Sequence, residues 1–328
     1  MLRTRTPKLS QIQRPVREDV ERVVDELRRI VISDFPAIGD VNDHLLWARG
    51  KLLRPTLLLL SHRVSGAGDP RAVTLAAIVE LVHLATLVHD DAVDHSVLRR
   101  GMPTVNALWN HQTAVIMGDY LYSRSISALA DLGRIDFVAV LSRAANEMSV
   151  GELRQLSSCD ALQFSEQDYN RLISSKTASL MSAACELGAA LASEQHREPL
   201  ARFGHALGMA FQIVDDLLDY TESEAVVGKP TGQDLREHKV TLPLIAAMRE
   251  MPESRRRDVE HFFADPLPSA EGIDLITNLT REHGGLEYAR SRADDYGRLA
   301  AQALLELPDS ESTGSLQAAV SYVVERRN

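Results

Sequence analysis

Apolar residues recur at helical spacing along most of the chain, and the spacing predicts helices almost throughout. From Val16 to Ile32, Val20, Val23, Val24, Leu27, Ile30 and Val31 share one side between charged positions, and Phe35-Pro36 ends the run. A second segment covers 42–49, after which Gly50-Lys51-Leu52-Leu53-Arg54-Pro55 breaks the pattern before four leucines at 57–60. Ala72 to about Asp94 is apolar on nearly every side, which predicts a central helix. Further helices are expected over 114–131, 135–157, 168–193, 199–220, 239–250 and 286–306. Breakers lie at Gly66 to Pro70, Gly133-Arg134, Gly228 to Gly232, Pro252, Asp265 to Pro268 and Gly284-Gly285.

Composition narrows the class. The 328 residues are 45% hydrophobic but only 5% aromatic, and no Asn-Gly or Asp-Gly pair is present to close a tight hairpin. This favours an all-α chain. No segment of disordered composition interrupts 40–306, so a single domain is expected over 18–328. Residues 1–17 carry five basic and no acidic residues, with Pro7 and Pro15, and read as a mobile basic arm. A net charge of −10 excludes a general nucleic-acid binder, which needs a surplus of Lys and Arg on one face. Cys159 and Cys185 have no metal-ligand spacing, which points to a reducing, cytoplasmic setting. No apolar stretch is expected to reach the roughly 18 to 20 residues that span a bilayer.

The chemistry is concentrated in two acidic clusters. Asp90-Asp91-Ala92-Val93-Asp94 ends the most apolar helix, and Asp215-Asp216-Leu217-Leu218-Asp219 repeats its spacing. On a helix Asp90 and Asp94 lie one turn apart, so their charges repel unless a cation lies between them. Oxygen ligands at this density suit Mg²⁺, which completes its shell with water and substrate phosphates. Asp294-Asp295, flanked by Arg290, Arg292 and Arg298, shows how an ordinary solvated pair looks instead. Basic residues sit beside both clusters: Arg99 and Arg100 after the first, Lys229 and Lys239 around a Gly-Pro loop after the second. Lys51 and Arg54, three apart, can reach one ligand. His83 lies two turns before Asp90; a lone histidine in an apolar helix is usually a core residue. Lys176-Thr177 lies mid-helix, where a threonine commonly bonds its own backbone.

With these residues assembled, the sequence resembles the trans-isoprenyl diphosphate synthases, or polyprenyl synthetases, from about Gly50 to the end. The resemblance rests on Gly50-Lys51 with Arg54-Pro55, both DDxxD clusters, Arg99-Arg100-Gly101, Gly151-Glu152, Lys176-Thr177, Phe211-Gln212, and Gly228-Lys229-Pro230 through Lys239-Val240-Thr241-Leu242-Pro243. It implies a bundle of long helices around a deep central cavity, a homodimer, and two substrates, isopentenyl diphosphate and an allylic prenyl diphosphate. Asp90 and Asp94 would bind two Mg²⁺ and Asp215 a third, with Asp91, Asp216 and Asp219 supporting them. Arg99, Lys176, Lys229 and Lys239 would hold the allylic diphosphate, and Lys51, Arg54, His83 and Arg100 the isopentenyl diphosphate. Thr177 and Gln212 would face the developing cation. Arg49 before Gly50, Leu52 where Arg is common, and His238 in place of the usual Gly depart from the family pattern without removing any of these residues.

Ala85 and Thr86, a turn above the first cluster, would act as a depth gauge for the growing chain. Small residues there predict a long product, about C30 or longer, with C20 or farnesyl products as the alternative. A peripheral membrane contact would serve product release. A terpene cyclase would lack the second DDxxD, and a non-catalytic subunit would be expected to have lost aspartates. The C-terminal Tyr322 to Asn328 reads equally as a closing tail or a solvated helix end.

Overall fold

The computed structural model describes residues 6–47, 50–64, 66, 68–157, 161–221 and 232–326. Its helices in chain order are α1 (Leu9–Ile12), α2 (Arg17–Ile30), α3 (Pro36–Trp47), α4 (Leu53–Arg63), α5 (Arg71–Val93), α6 (Val105–Leu108), α7 (His111–Asp131), α8 (Ile135–Ser157), α9 (Glu166–Ile173), α10 (Ser179–Ala192) and α11 (Arg197–Thr221). They continue with α12 (Gln233–Arg236), α13 (Leu242–Glu250), α14 (Glu253–Ala264), α15 (Ala270–Glu282), α16 (Gly285–Leu304) and α17 (Glu311–Val324). A π turn, Ser174–Ala178, joins α9 to α10.

The most extensive helix–helix contacts are α11 with α16, α5 with α7, α10 with α11 and α4 with α10. The apolar interior falls into two clusters. One is centred on α4, α5, α7, α8 and α10, the other on α9, α11 and α13 to α16. Helix α11 belongs to both, with Phe203 and Leu207 in the first and Ile213 and Leu217 in the second. Close approach of α11 to its neighbours requires glycine. A Cβ on Gly208 would lie 2.6 Å from the Ala178 Cα, and one on Gly204 would lie 2.5 Å from the Met181 carbonyl.

Several expectations need correction. By length and composition α5 could cross a membrane, contrary to the sequence reading, but 72% of its apolar window is buried by its neighbours. It is a core helix. Within the expected mobile arm, Leu9–Ile12 is helical and Arg14–Val16 forms a 3₁₀ turn. Ile12 and Val16 are buried in the main core, and α1 packs on α17. Helix α3 begins at Pro36, six residues before the expected start, because proline suits the first helical position. Helices α14, α15 and α17 were not anticipated as separate elements.

The described residues also include a small β-ladder. β1 (Leu98–Arg99) pairs antiparallel with β2 (Met102–Pro103). Arg100 and Gly101 close the turn with φ of 52° and 76°, so an Arg-Gly pair supplies the left-handed conformations that Asn-Gly usually provides. A non-glycine residue held there carries backbone strain.

Candidate active site

Helix α5 ends inside its aspartate cluster. Asp94 is the C-cap, with its N–H donating to the Asp90 carbonyl at 2.8 Å, and His95 turns the chain with φ of 51°. Asp215, Asp216 and Asp219 occupy the last two turns of α11. A helix C-terminus presents open carbonyls and the negative end of the dipole. Three carboxylates at each of two such ends therefore require nearby cations.

The protein supplies several. Arg99 grips Asp91, with Nε 2.8 and 2.9 Å from the two carboxylate oxygens and Nη2 2.8 Å from Oδ1. Lys239 Nζ lies 3.6 Å from Asp94 and 2.6 Å from Glu237, tying the end of α5 to the segment that follows α11. Lys176 pairs with Glu152 and donates to Gln155 at 3.1 Å. Burial pushes the Asp90 carboxyl up to about 6, against the pull of Lys176 and Arg99. An ionised Asp90 thus still calls for more positive charge than the side chains provide.

The second cluster is divided by role. Asp216 is buried; its Oδ2 accepts from the Tyr169 hydroxyl at 2.5 Å and its Oδ1 from Gln212 Nε2 at 2.8 Å. Burial raises it to about 7 in spite of both hydrogen bonds. Asp219 accepts the backbone N–H groups of Gln233 at 3.1 Å and Asp234 at 3.0 Å, capping the start of α12. Asp215 is half-exposed, with Arg326 Nη1 3.4 Å from Oδ1. Thr177, on the π turn, donates to Gln212 Oε1 at 2.7 Å instead of to its own backbone.

A second basic group forms behind the hairpin. Burial lowers the Arg54 guanidinium, opposed by Glu80, with Arg100 also acting on both. The Arg100 guanidinium packs on Gly50, where a Cβ would come within 2.6 Å of Nη1. Burial, then Arg54 and Arg100, drive His83 well below its ordinary value, so its imidazole is neutral near pH 7. Among the described residues the buried Arg54 Nε has no hydrogen-bond partner. Lys51 is exposed on the same segment. Lys229 lies outside the described residues. Ala85 is buried at 2% exposure, whereas Thr86 is half-buried and its hydroxyl donates to the His83 carbonyl at 2.8 Å.

Sequence reasoning passed over Tyr169, Glu80 and Asp234, and it left the tail with Arg326 as either a closing segment or a solvated helix end. Glu80 had a signal, being the one acidic residue between Ala72 and His89 in an apolar helix. Tyr169 had none, since its partner is 47 positions away. Arg326 lies against both Asp215 and the Phe211 ring, its Cζ 5.6 Å from the ring centroid, so the tail reaches the second cluster.

Among the described residues no three His, Cys, Asp or Glu side chains form a ready-made metal cage. A separate cleft of about 570 Å³ touches Glu166, His205 and Tyr296. Its carboxylate, Glu166, is already engaged by Arg249 at 2.7 Å and by the Tyr288 hydroxyl.

The polyprenyl synthetase family model matches residues 36–272. The chain is 39% identical to the all-trans-nonaprenyl-diphosphate synthase (geranyl-diphosphate specific) of Rhodobacter capsulatus, over 90% of this chain and 91% of that one. It is 35% identical to heptaprenyl diphosphate synthase component 2 of Geobacillus stearothermophilus, over 94% and 96%. Its fold is similar to that of a polyprenyl synthase from Caulobacter crescentus crystallised with calcium and isoprenyl diphosphate. The TM-score is 0.93 at 31% identity, covering 99% of this chain and all of that one.

Proposed function

The chain belongs to the polyprenyl synthetase family and is a prenyltransferase, and on that premise we propose that it condenses isopentenyl diphosphate head-to-tail with an allylic diphosphate. The product is a long all-trans polyprenyl diphosphate, about C30 or longer. The observation that carries this reading is the bridge from Asp94 through Lys239 to the segment held by Asp219, which supports the two carboxylate sets serving one site.

At that site Asp90, Asp94 and Asp215 would hold about three Mg²⁺, with Asp91, Asp216 and Asp219 fixing the surroundings. The bound metal supplies charge neutralisation for the departing diphosphate. Arg99, Lys176, Lys229 and Lys239 orient the allylic diphosphate, and Lys51, Arg54, neutral His83 and Arg100 bind the isopentenyl diphosphate. The buried Arg54 Nε, which has no partner among the described residues, supports an anionic ligand there. As the allylic C–O bond breaks, its electron pair leaves with the diphosphate. Thr177 and Gln212 present oxygen dipoles to the cation. The isopentenyl double bond then forms the new C–C bond, and a proton is lost to the released diphosphate. No protein nucleophile takes part.

The names of the relatives and the small residues Ala85 and Thr86 support the long product. Exposed Ile116 on α7 and Leu153 and Leu156 on α8 support a homodimer through these helices. The Geobacillus relative is named as a component, so pairing with a second chain is the other reading, and the oligomer formed by the purified chain distinguishes them. The buried, unbridged Cys185 supports a cytoplasmic setting.

The deciding experiment supplies purified protein with Mg²⁺, farnesyl diphosphate and isopentenyl diphosphate and separates the products by chain length. Long prenyl diphosphates are expected. Diphosphate release without isopentenyl diphosphate, together with a cyclic hydrocarbon, would reassign the chain as a cyclase.

A further inference from the structure

We infer that Tyr169 is a positioning residue for prenyl transfer, fixing Gln212 and Thr177 through Asp216. The inference rests on the reading above, in which Thr177 and Gln212 face the allylic cation. Tyr169 sits on α9 with 1% exposure and delivers its hydroxyl hydrogen to Asp216 Oδ2 at 2.5 Å. Gln212 Nε2 donates to the other oxygen at 2.8 Å, and Gln212 Oε1 accepts from Thr177 Oγ1 at 2.7 Å. The donors therefore run in one direction, from Thr177 to Gln212 to Asp216, and Tyr169 closes the far end.

That direction has a chemical consequence. Turning the Gln212 amide over would set its oxygen against the Asp216 oxygen and free the Thr177 hydroxyl hydrogen to point elsewhere, so the hydrogen bond to Asp216 favours the order seen. With its hydrogen committed to Gln212, Thr177 leaves lone pairs on its open side. A carbocation is stabilised by lone pairs and opposed by an O–H dipole aimed at it. Tyr169 restrains the carboxylate on which the order ends.

The backbone explains how Tyr169 and Thr177 come to share a face. In a regular α-helix, positions eight apart point about 80° away from each other. The π turn Ser174–Ala178 inserts the equivalent of one residue, which reduces the offset to about 20°. Both residues then face α11, where Gln212 and Asp216 are one turn apart on the same side. The π turn is thus the feature that lets one helical run approach the relay from both ends.

The test is a double-mutant cycle in the full-length protein. Tyr169→Phe keeps the ring and removes one oxygen. It should lower kcat about tenfold, leave the KM for isopentenyl diphosphate within about twofold and keep the melting temperature close to wild type. In a Thr177→Val background, the same substitution should cost little more. A wild-type kcat in Tyr169→Phe overturns the relay, as does a full additive loss in the double variant. If Tyr169→Phe fails to fold, Gln212→Met cuts the relay one link on, and a wild-type kcat there overturns it equally. Failure of the wild-type protein to elongate any prenyl chain would instead defeat the proposed function.

Discussion

Arg99 closes on Asp91, eight residues earlier, through contacts of 2.8 and 2.9 Å from Nε to the two carboxylate oxygens. The middle aspartate of the first cluster is therefore held as a partner of Arg99, and Arg99 is fixed by it beside Asp90. Asp91→Ala should release the guanidinium and lower kcat/KM for the allylic diphosphate about tenfold or more, since hydrogen bonds to charged groups are the strong ones. Arg99→Lys should not restore it, because an ammonium cannot reproduce the planar fork. Unchanged steady-state kinetics in Asp91→Ala would remove this role.

Ala85 and Thr86 differ in burial, and the difference separates two effects of enlarging them. Thr86→Phe should shorten the product with little change in thermal stability. Ala85→Phe, placed in a buried position, should shorten it and also cost about 1–3 kcal/mol through overpacking. Chain length by chromatography and melting temperature by calorimetry check both. Products of unaltered length in both variants would exclude these positions as the depth gauge.

The N-terminal segment contributes to stability. Ile12 is fully buried in the main core, so Ile12→Ala should destabilise the fold by about 2–4 kcal/mol. A solvated arm would show no such change. Denaturant unfolding of the variant decides between them.

Burial raises the Cys185 thiol to about 12. The thiolate is the reactive form and exists mainly above that pH, so the native protein should resist alkylation at this site at pH 8. Denaturation returns the thiol to an ordinary value near 8.5, and the reaction should then be fast. Cys159 lies outside the described residues, so a Cys159→Ser variant isolates the signal. Rapid native labelling at pH 8 would contradict the buried assignment.

The helices that follow α5 were legible because each carries an apolar stripe of its own. Of those missed, α14 is rich in charge and α17 mixes serine and glycine with its apolar positions, whereas α15 does carry a stripe, Ile273, Ile276 and Leu279, between polar neighbours. The small hairpin was invisible because its turn is Arg-Gly, a pair that adopts left-handed angles only when the surrounding contacts hold it. The N-terminal segment has no apolar face of its own and contains Pro7 and Pro15, so the burial of Ile12 and Val16, which comes from packing that includes the distant α17, has no local signal.

Sequence alone determined that the chain is helical, that two sets of three aspartates end apolar helices, and that arginines and lysines accompany them. These are local patterns, fixed by residue type and spacing. Which aspartate does what was decided only by tertiary structure. Both clusters have the same spelling, yet Asp91 meets Arg99, Asp216 meets Tyr169 and Asp219 caps α12. Partners 8, 15 and 47 positions away leave no periodic trace, and α9, the β-turn and the segment after α11 meet these carboxylates only once the chain has folded.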